Sequence, residues 1–395
     1  MQPTNPNFTH TFAPPVMEAR RWVDGRNFPA HRPLLNLSQA APVDPPPEGL
    51  MQAMADAILT DPAAHLYGPV LGRMDLRTEL ASQWSANYGG SVTSDQVAVT
   101  AGCNQAFTST IATLARAGDE VIVPLPYYFN HQMWLDMAGI RAAYLPTGDD
   151  LLPDPERAAA LITPDTKAIV LVSPNNPAGV EYPAPLLRAF FDLARAHGLA
   201  LVVDETYRDF HSAPGAPHDL FRDPDWDDTL IHLYSFSKAY RLTGHRVGAI
   251  MASPARLAEV EKFLDTVAIC PPQIGQIGAL WGMRNLGDWL AGERLEILAR
   301  RDAITQGFAR LPDWTLMGCG AYFAYVRHPF DARSDAVARD LVDRASLLIL
   351  PGTMFGPARA QGGSGQAEAT LRIAFANADR TGISDLIDRL GTLTA

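Results

Sequence analysis

Short apolar runs alternate with amphipathic stretches along most of this chain. VAVT (97–100), VIVP (121–124), KAIVLV (167–172), LALVVD (199–204), LIHLY (230–234) and RVGAIMA (246–252) are largely apolar, several of them rich in β-branched residues, and read as buried strands. Between them, patterns such as PAPLLRAFFDLARAHG (183–198) carry apolar residues at helical spacing. This alternation predicts an α/β fold: a large domain with a mostly parallel sheet flanked by crossover helices. In such sheets ligands gather at the carboxyl ends of the strands. From about residue 285 the pattern changes. A long charged amphipathic helix (289–310) enters a smaller α+β unit with strands expected at YFAYV (322–326), SLLIL (346–350) and TLRIAFA (370–376). Residues 1–48 are proline-rich and aperiodic, and they read as an extended arm lying across the body or onto a partner subunit. DPPPEGL (44–50) then breaks the chain before a helical pattern. The expected division is an arm (1–48) that joins the small domain, a large domain (49–285), and a small C-terminal domain (286–395).

Composition narrows the classes. A chain of 395 residues exceeds what one core usually serves, so two domains are expected. Apolar residues make up 47% and no apolar run approaches a membrane span. The net charge of −11, without a basic run, argues against nucleic acid as a partner. Three scattered cysteines, Cys103, Cys270 and Cys319, form neither a disulfide framework nor a zinc motif, so no metal is expected. The N-terminal residues lack a basic segment followed by an apolar one, the mark of a secretory leader, so a cytoplasmic location is expected.

The chemistry concentrates where strands end. In SFSKAYRLTGHRVG (235–248), Lys238 follows a buried strand and lies just after Ser237. A partly desolvated lysine has a lowered pKa and a free amine able to form an imine with an aldehyde. Ser235 and Arg246 flank it as candidate phosphate ligands. In VAVTAGCNQAF (97–107), a strand turns at Gly102 into a helix whose first N–H groups, at Cys103 and Asn104, suit an anion; an ordinary strand-to-helix turn is the alternative. Neither GxGxxG nor a P-loop motif is present. Tyr128, after the strand at 121–124, can stack on a planar ring or simply pack in the core. Asp204 ends an all-apolar strand, where a carboxylate is costly unless it faces a cation, or else caps a helix.

Together these segments resemble the class I/II aminotransferases, fold-type-I enzymes of pyridoxal 5′-phosphate, in motif order from Tyr67 to Arg372. The resemblance implies a seven-stranded large-domain sheet and a homodimer with active sites at the subunit interface. It makes Lys238 the residue that binds the cofactor as an internal aldimine. Asp204 would hold the pyridine nitrogen, with His131 behind it, and Tyr128 would stack on the ring. Asn176, in the Asn-Pro-Ala-Gly turn, and Tyr207 would bond the phenolic oxygen. Gly102, Cys103, Asn104, Ser235 and Arg246 would cup the phosphate, joined by Tyr67 from the neighbouring subunit. Arg372 would grip the substrate α-carboxylate, with Ala40 and Asn176 beside it. One position departs from the family: Arg241 stands where a small or apolar residue is usual.

The implied reaction is transfer of an amino group between an amino acid and a 2-oxo acid. Dicarboxylate-specific relatives often carry an arginine shortly before a Pro-Pro turn, and DTVAIC (265–270) has none, so a neutral or apolar amino donor is expected. Arginines of the arm, Arg20, Arg21, Arg26 or Arg32, are the feature able to overturn that expectation. Two other readings of the same scaffold are a β-elimination lyase or synthase and, in a different class, a ligand-sensing module of a transcription regulator.

Overall fold

Strands that are apolar on both faces are stable only inside a covered sheet. A computed structural model, describing residues 4–359 and 362–393, contains such a sheet. Its seven strands run in the order Val97–Thr100, Gly248–Met251, Leu230–Ser235, Ala200–Asp204, Thr166–Val172, Glu120–Pro124, Arg141–Leu145. Gly248–Met251 is antiparallel to both neighbours, and every other pairing is parallel. Ala200–Asp204 and Leu230–Ser235 are buried at every position, as their unbroken apolar character requires.

Side chains on the sheet alternate between two cores. Leu201 and Val203 pack with Phe190 and Phe191, which belong to the buried stripe of helix Ala184–Ala196. Ala200 and Val202 face the other way, onto Ala106, Phe107 and Ile111 of helix Cys103–Leu114. By this parity Asp204 points toward the second helix and Glu205 toward the first layer.

The C-terminal part builds a four-stranded sheet in the order Leu350–Pro351, Thr370–Ile373, Phe323–Arg327, Thr315–Gly320, antiparallel throughout. Helices Gly287–Phe308 and Arg380–Gly391 pack on it. The strand Thr315–Gly320 has no sequence signal, because TLMGCG contains two glycines and no alternation. The SLLIL run divides: Leu347–Leu348 pairs in parallel with Leu35–Asn36 of the arm, while Leu350–Pro351 joins the four-stranded sheet.

The arm departs from the extended segment expected of it. It contains helices Pro6–His10 and Pro15–Arg21, each with proline at its start. There the missing N–H costs nothing and the fixed φ favours helix, so these prolines begin helices instead of preventing them. Ala19 is fully buried, and Val16, Trp22 and Phe28 pack around Phe129 and Phe355. Leu37 and Ala40 enter the C-terminal core. No described helix is long and apolar enough to cross a membrane.

Candidate active site

A cavity of about 400 Å³ opens at the carboxyl ends of the central strands. It is lined by Ala40, Cys103, Asn104, Tyr128, Asn176, Asp204, Tyr207, Ser235, Lys238, Arg246 and Arg372, all singled out from the sequence. Gly102 lies directly behind, against Arg246. Tyr67 does not line the cavity and is 79% exposed on the surface of the subunit.

Lys238 rides on a one-turn helix, Phe236–Ala239, whose N-cap Ser235 accepts the Ser237 N–H at 3.2 Å. Its amine donates to the Ala40 carbonyl at 2.5 Å. Burial, reinforced by the charges of Arg246 and Arg372, lowers this amine from the ordinary 10.5 to about 7.

Asp204 sits beneath the cavity. Its carboxylate meets His131 Nε2 at 3.2 Å, accepts the Thr206 N–H at 3.0 Å, and lies 3.7 Å from Cys103 Sγ. Burial opposes ionisation here, but the His131 and Thr206 hydrogen bonds outweigh it and hold Asp204 below its ordinary pKa. His131 is kept in place by stacking on Phe107 at 3.7 Å between ring centres. Burial raises the phenols of Tyr128 and Tyr207, so both remain protonated donors.

Three arginines line the cavity, Arg20 from the arm and, at the motif positions, Arg246 and Arg372. Arg246 donates to the Thr243 carbonyl at 3.1 Å and has no acidic partner among the described residues. Its guanidinium occupies the space a side chain at 102 would need: a Cβ there would stand 2.0 Å from Nη2, and Gly102 has φ +87°. Glycine at 102 therefore lets the guanidinium reach the start of helix Cys103–Leu114. Arg372, 2% exposed, bonds Asn176 Oδ1 at 2.9 Å and the Ser38 carbonyl, with Phe355 and Phe323 against its face. Its Nε–H is buried without a partner among the described residues. Asn176 is aimed inward by a turn that Asn175 ties together, accepting the Ala178 N–H at 2.9 Å, and Gly179 abuts the Phe323 carbonyl at a distance no Cβ tolerates.

Sequence reasoning did not identify several residues lining the same cavity. Thr206 and Ser237 are adjacent to motif residues. Val16, Met17, Arg20 and Gln39 come from the arm, and nothing in the sequence chose Arg20 over the other three arm arginines. Behind the sheet lies a second unforeseen cluster. Glu205 accepts from Tyr88 and contacts His232 Nε2 at 2.8 Å, with His218 at 3.5 Å, all fully buried or nearly so. Arg241, the departure from the family pattern, has a structural task. It pairs with Glu293 at 2.7 Å and Asp44 at 3.6 Å, joining the proline-rich segment to helix Gly287–Phe308.

Fold and cavity together define an α/β protein whose small-molecule site lies at the carboxyl ends of a mostly parallel sheet. The chain belongs to the family described as aminotransferase class I and II, whose model matches residues 32–390, and it is accordingly a transferase. An aromatic aminotransferase, ISS1, of Arabidopsis thaliana is 31% identical over 367 residues, covering 89% of this chain and 90% of the relative. The arginine–pyruvate transaminase AruH of Pseudomonas aeruginosa is 31% identical, covering 88% of this chain and 91% of the relative. The aspartate aminotransferase from Thermus thermophilus with maleate superposes with a TM-score of 0.89 at 24% identity, covering 99% of this chain and 100% of that one, a likeness of fold. These relatives do not favour the lyase or regulator readings.

Proposed function

We propose that the protein is a pyridoxal 5′-phosphate-dependent aminotransferase. It moves an amino group from an amino acid with a neutral or apolar side chain to a 2-oxo acid and works as a homodimer. The observation that carries this reading is the meeting of three groups in one cavity: the Lys238 amine with its lowered pKa, an ionised buried Asp204, and a buried Arg372 with an N–H to spare.

The residues present suit that cofactor. A negative Asp204 matches a protonated pyridine nitrogen. Arg246, free of acidic partners among the described residues, matches a phosphate together with Ser235, Ser237 and the N–H groups at Cys103 and Asn104. Lys238, Asp204, Tyr128, Asn176 and Tyr207 would hold the ring. When bound, the cofactor supplies an electron sink for the substrate's α-carbon. With a pKa of about 7, the Lys238 amine is neutral in a substantial fraction near neutral pH and moves the proton at that α-carbon. Arg372 orients the substrate through its α-carboxylate, using the unpartnered Nε–H. Val16, Met17 and Phe129 give the cavity an apolar wall, which supports a neutral or apolar donor. Exposed Leu59, Leu66, Tyr67 and Met74 support a dimer in which Tyr67 reaches the neighbouring site. The division into an arm to about 48 and domains meeting near 285 belongs to the same proposal.

The test is a panel of amino acids mixed with cofactor-loaded enzyme, followed by the absorbance change of the half-reaction. Leucine or phenylalanine should react faster than aspartate, and Lys238→Ala should lose nearly all turnover. No amino-group transfer from any donor refutes the reading, and aspartate far ahead of the others refutes its donor class.

A further inference from the structure

The large sheet carries a second cavity at its other end. About 630 Å³ in volume, it opens where strands Thr166–Val172 and Ala200–Asp204 begin. The active-site cavity lies at the carboxyl ends of the same strands, roughly 20 Å away along the longer one. Nothing in the proposed transamination uses the second cavity. Its lining carries two cations, Arg256 and Lys167, and the exposed His197 against one carboxylate, Asp228.

Arg256 stands where a cation is poorly tolerated. It lies in the first turn of helix Pro254–Ala268, a turn without an acidic residue, and its backbone N–H is capped by the Ser253 hydroxyl at 3.4 Å. The positive end of a helix dipole disfavours a cation there. The side chain is also partly withdrawn from water, and that burial, with no acid to offset it, lowers its pKa. Among the described residues its buried Nε–H has no partner and no carboxylate lies within ion-pair range of it, Asp228 included. Lys167 donates to the Pro164 carbonyl at 3.0 Å and stands 3.8 Å from Asp119, a loose match for its charge. A bound anion relieves both penalties on Arg256, because it supplies the missing counter-charge and accepts from the orphaned N–H.

We propose that this cavity is a second ligand site, which binds a phosphate dianion, free or as the head of a small phosphate monoester, through Arg256 and Lys167. Two cations and a histidine suit a doubly charged group with several acceptor oxygens. Leu114 and Ile162, in the same lining, offer apolar surface to the body of an ester. The phosphate cup proposed for the cofactor is at the opposite end of the sheet, around Arg246, so the two sites are distinct. This inference does not depend on the transamination reading.

The experiment is calorimetric titration of the cofactor-loaded enzyme, dialysed free of phosphate, with phenyl phosphate and separately with inorganic phosphate. One probe molecule should bind per chain. Arg256→Met should weaken binding about tenfold or more, the size of losing one charge-assisted contact, and Arg256→Lys should restore part of it. Asp228→Asn removes the one repelling charge of the lining and should tighten binding about twofold or more, an effect that a structural role for these residues does not produce and that remains measurable should Arg256→Met fold poorly. Tighter binding of phenyl phosphate assigns the site to an ester, and equal affinity assigns it to free phosphate. No binding of either probe at about 10 mM, far above a useful affinity, overturns the proposal. So does an affinity unchanged in both Arg256→Met and Asp228→Asn, or a probe displaced by excess pyridoxal 5′-phosphate with Arg256→Met unaffected, which would place it in the active-site cavity.

Discussion

Lys238 provides the most direct physical test of the site because its amine titrates where few other groups do. The chain has three lysines; Lys262 is exposed and paired with Glu259, and Lys167 is half-buried near Asp119, outside the active-site cavity. In the folded protein the Lys238 amine falls from 10.5 to about 7, for reasons of burial first and of Arg246 and Arg372 second. At about 1.4 kcal/mol per pH unit, that depression is a penalty on the cofactor-free fold of up to about 5 kcal/mol. The sign follows from proton uptake. Between pH 7 and 10.5 the unfolded chain holds a proton on this amine that the folded chain has released, so stability rises with pH across that window. Below pH 7 both states are charged and the penalty is felt in full. Lys238→Met keeps the apolar stem and removes the charge. Urea unfolding of cofactor-free wild type and variant at pH 7, 8, 9 and 10 should therefore show the variant ahead at pH 7, with the gap closing by about 1.4 kcal/mol per pH unit. Packing differences displace the gap by a constant, and titrations elsewhere cancel in the comparison. A gap independent of pH between 7 and 10 would show that the amine is not desolvated and would remove the basis for its role.

Other positions give independent checks. Gly102→Ala must adopt φ +87° and push a Cβ to 2.0 Å from the Arg246 guanidinium; we expect a loss of about 1–3 kcal/mol in stability and cofactor retention weakened about tenfold or more, read by equilibrium dialysis. Wild-type retention in that variant would separate Arg246 from the phosphate. Arg241→Ala breaks the ties to Glu293 and Asp44 and should cost about 1 kcal/mol by chemical unfolding. Arg241→Gly should cost less than Arg241→Ala, since Arg241 has φ +55°, and the reverse order would contradict the assigned strain. His218 is buried neutral beside Glu205, its pKa lowered to about 4 chiefly by desolvation. Stability should thus fall as pH drops from 6.5 to 4, where only the unfolded chain takes up the proton. His218→Asn should remove up to about 1.4 kcal/mol per pH unit of that slope, and an unchanged slope would place the acid sensitivity elsewhere.

Much of the fold was legible because strands buried on both faces leave unbroken apolar runs, and six of the seven large-sheet strands, the antiparallel Gly248–Met251 among them, carry that mark. The seventh, Arg141–Leu145, is an edge strand with only Leu145 fully buried, and it has no such run. In the small sheet, Thr315–Gly320 escaped notice because neighbouring backbone, not side-chain pattern, holds it in place. The arm's helices Pro6–His10 and Pro15–Arg21 are not legible from composition, because proline breaks a helix inside but favours one at its first turn, and composition does not say which position a proline will take.

The candidate site divides in the same way. Lys238, Asp204, Asn176 and Arg246 lie at strand ends or in the turns after them, so local pattern and motif order were enough to nominate them. Long-range packing decided the rest: that Arg20 and not Arg21, Arg26 or Arg32 reaches the cavity, that Arg241 ties the arm to a helix, and that Glu205 gathers two histidines behind the sheet. Backbone period and apolar runs are properties of neighbours along the chain and survive in a string of letters. Which charge faces which oxygen depends on segments hundreds of residues apart, and only the folded chain brings those together.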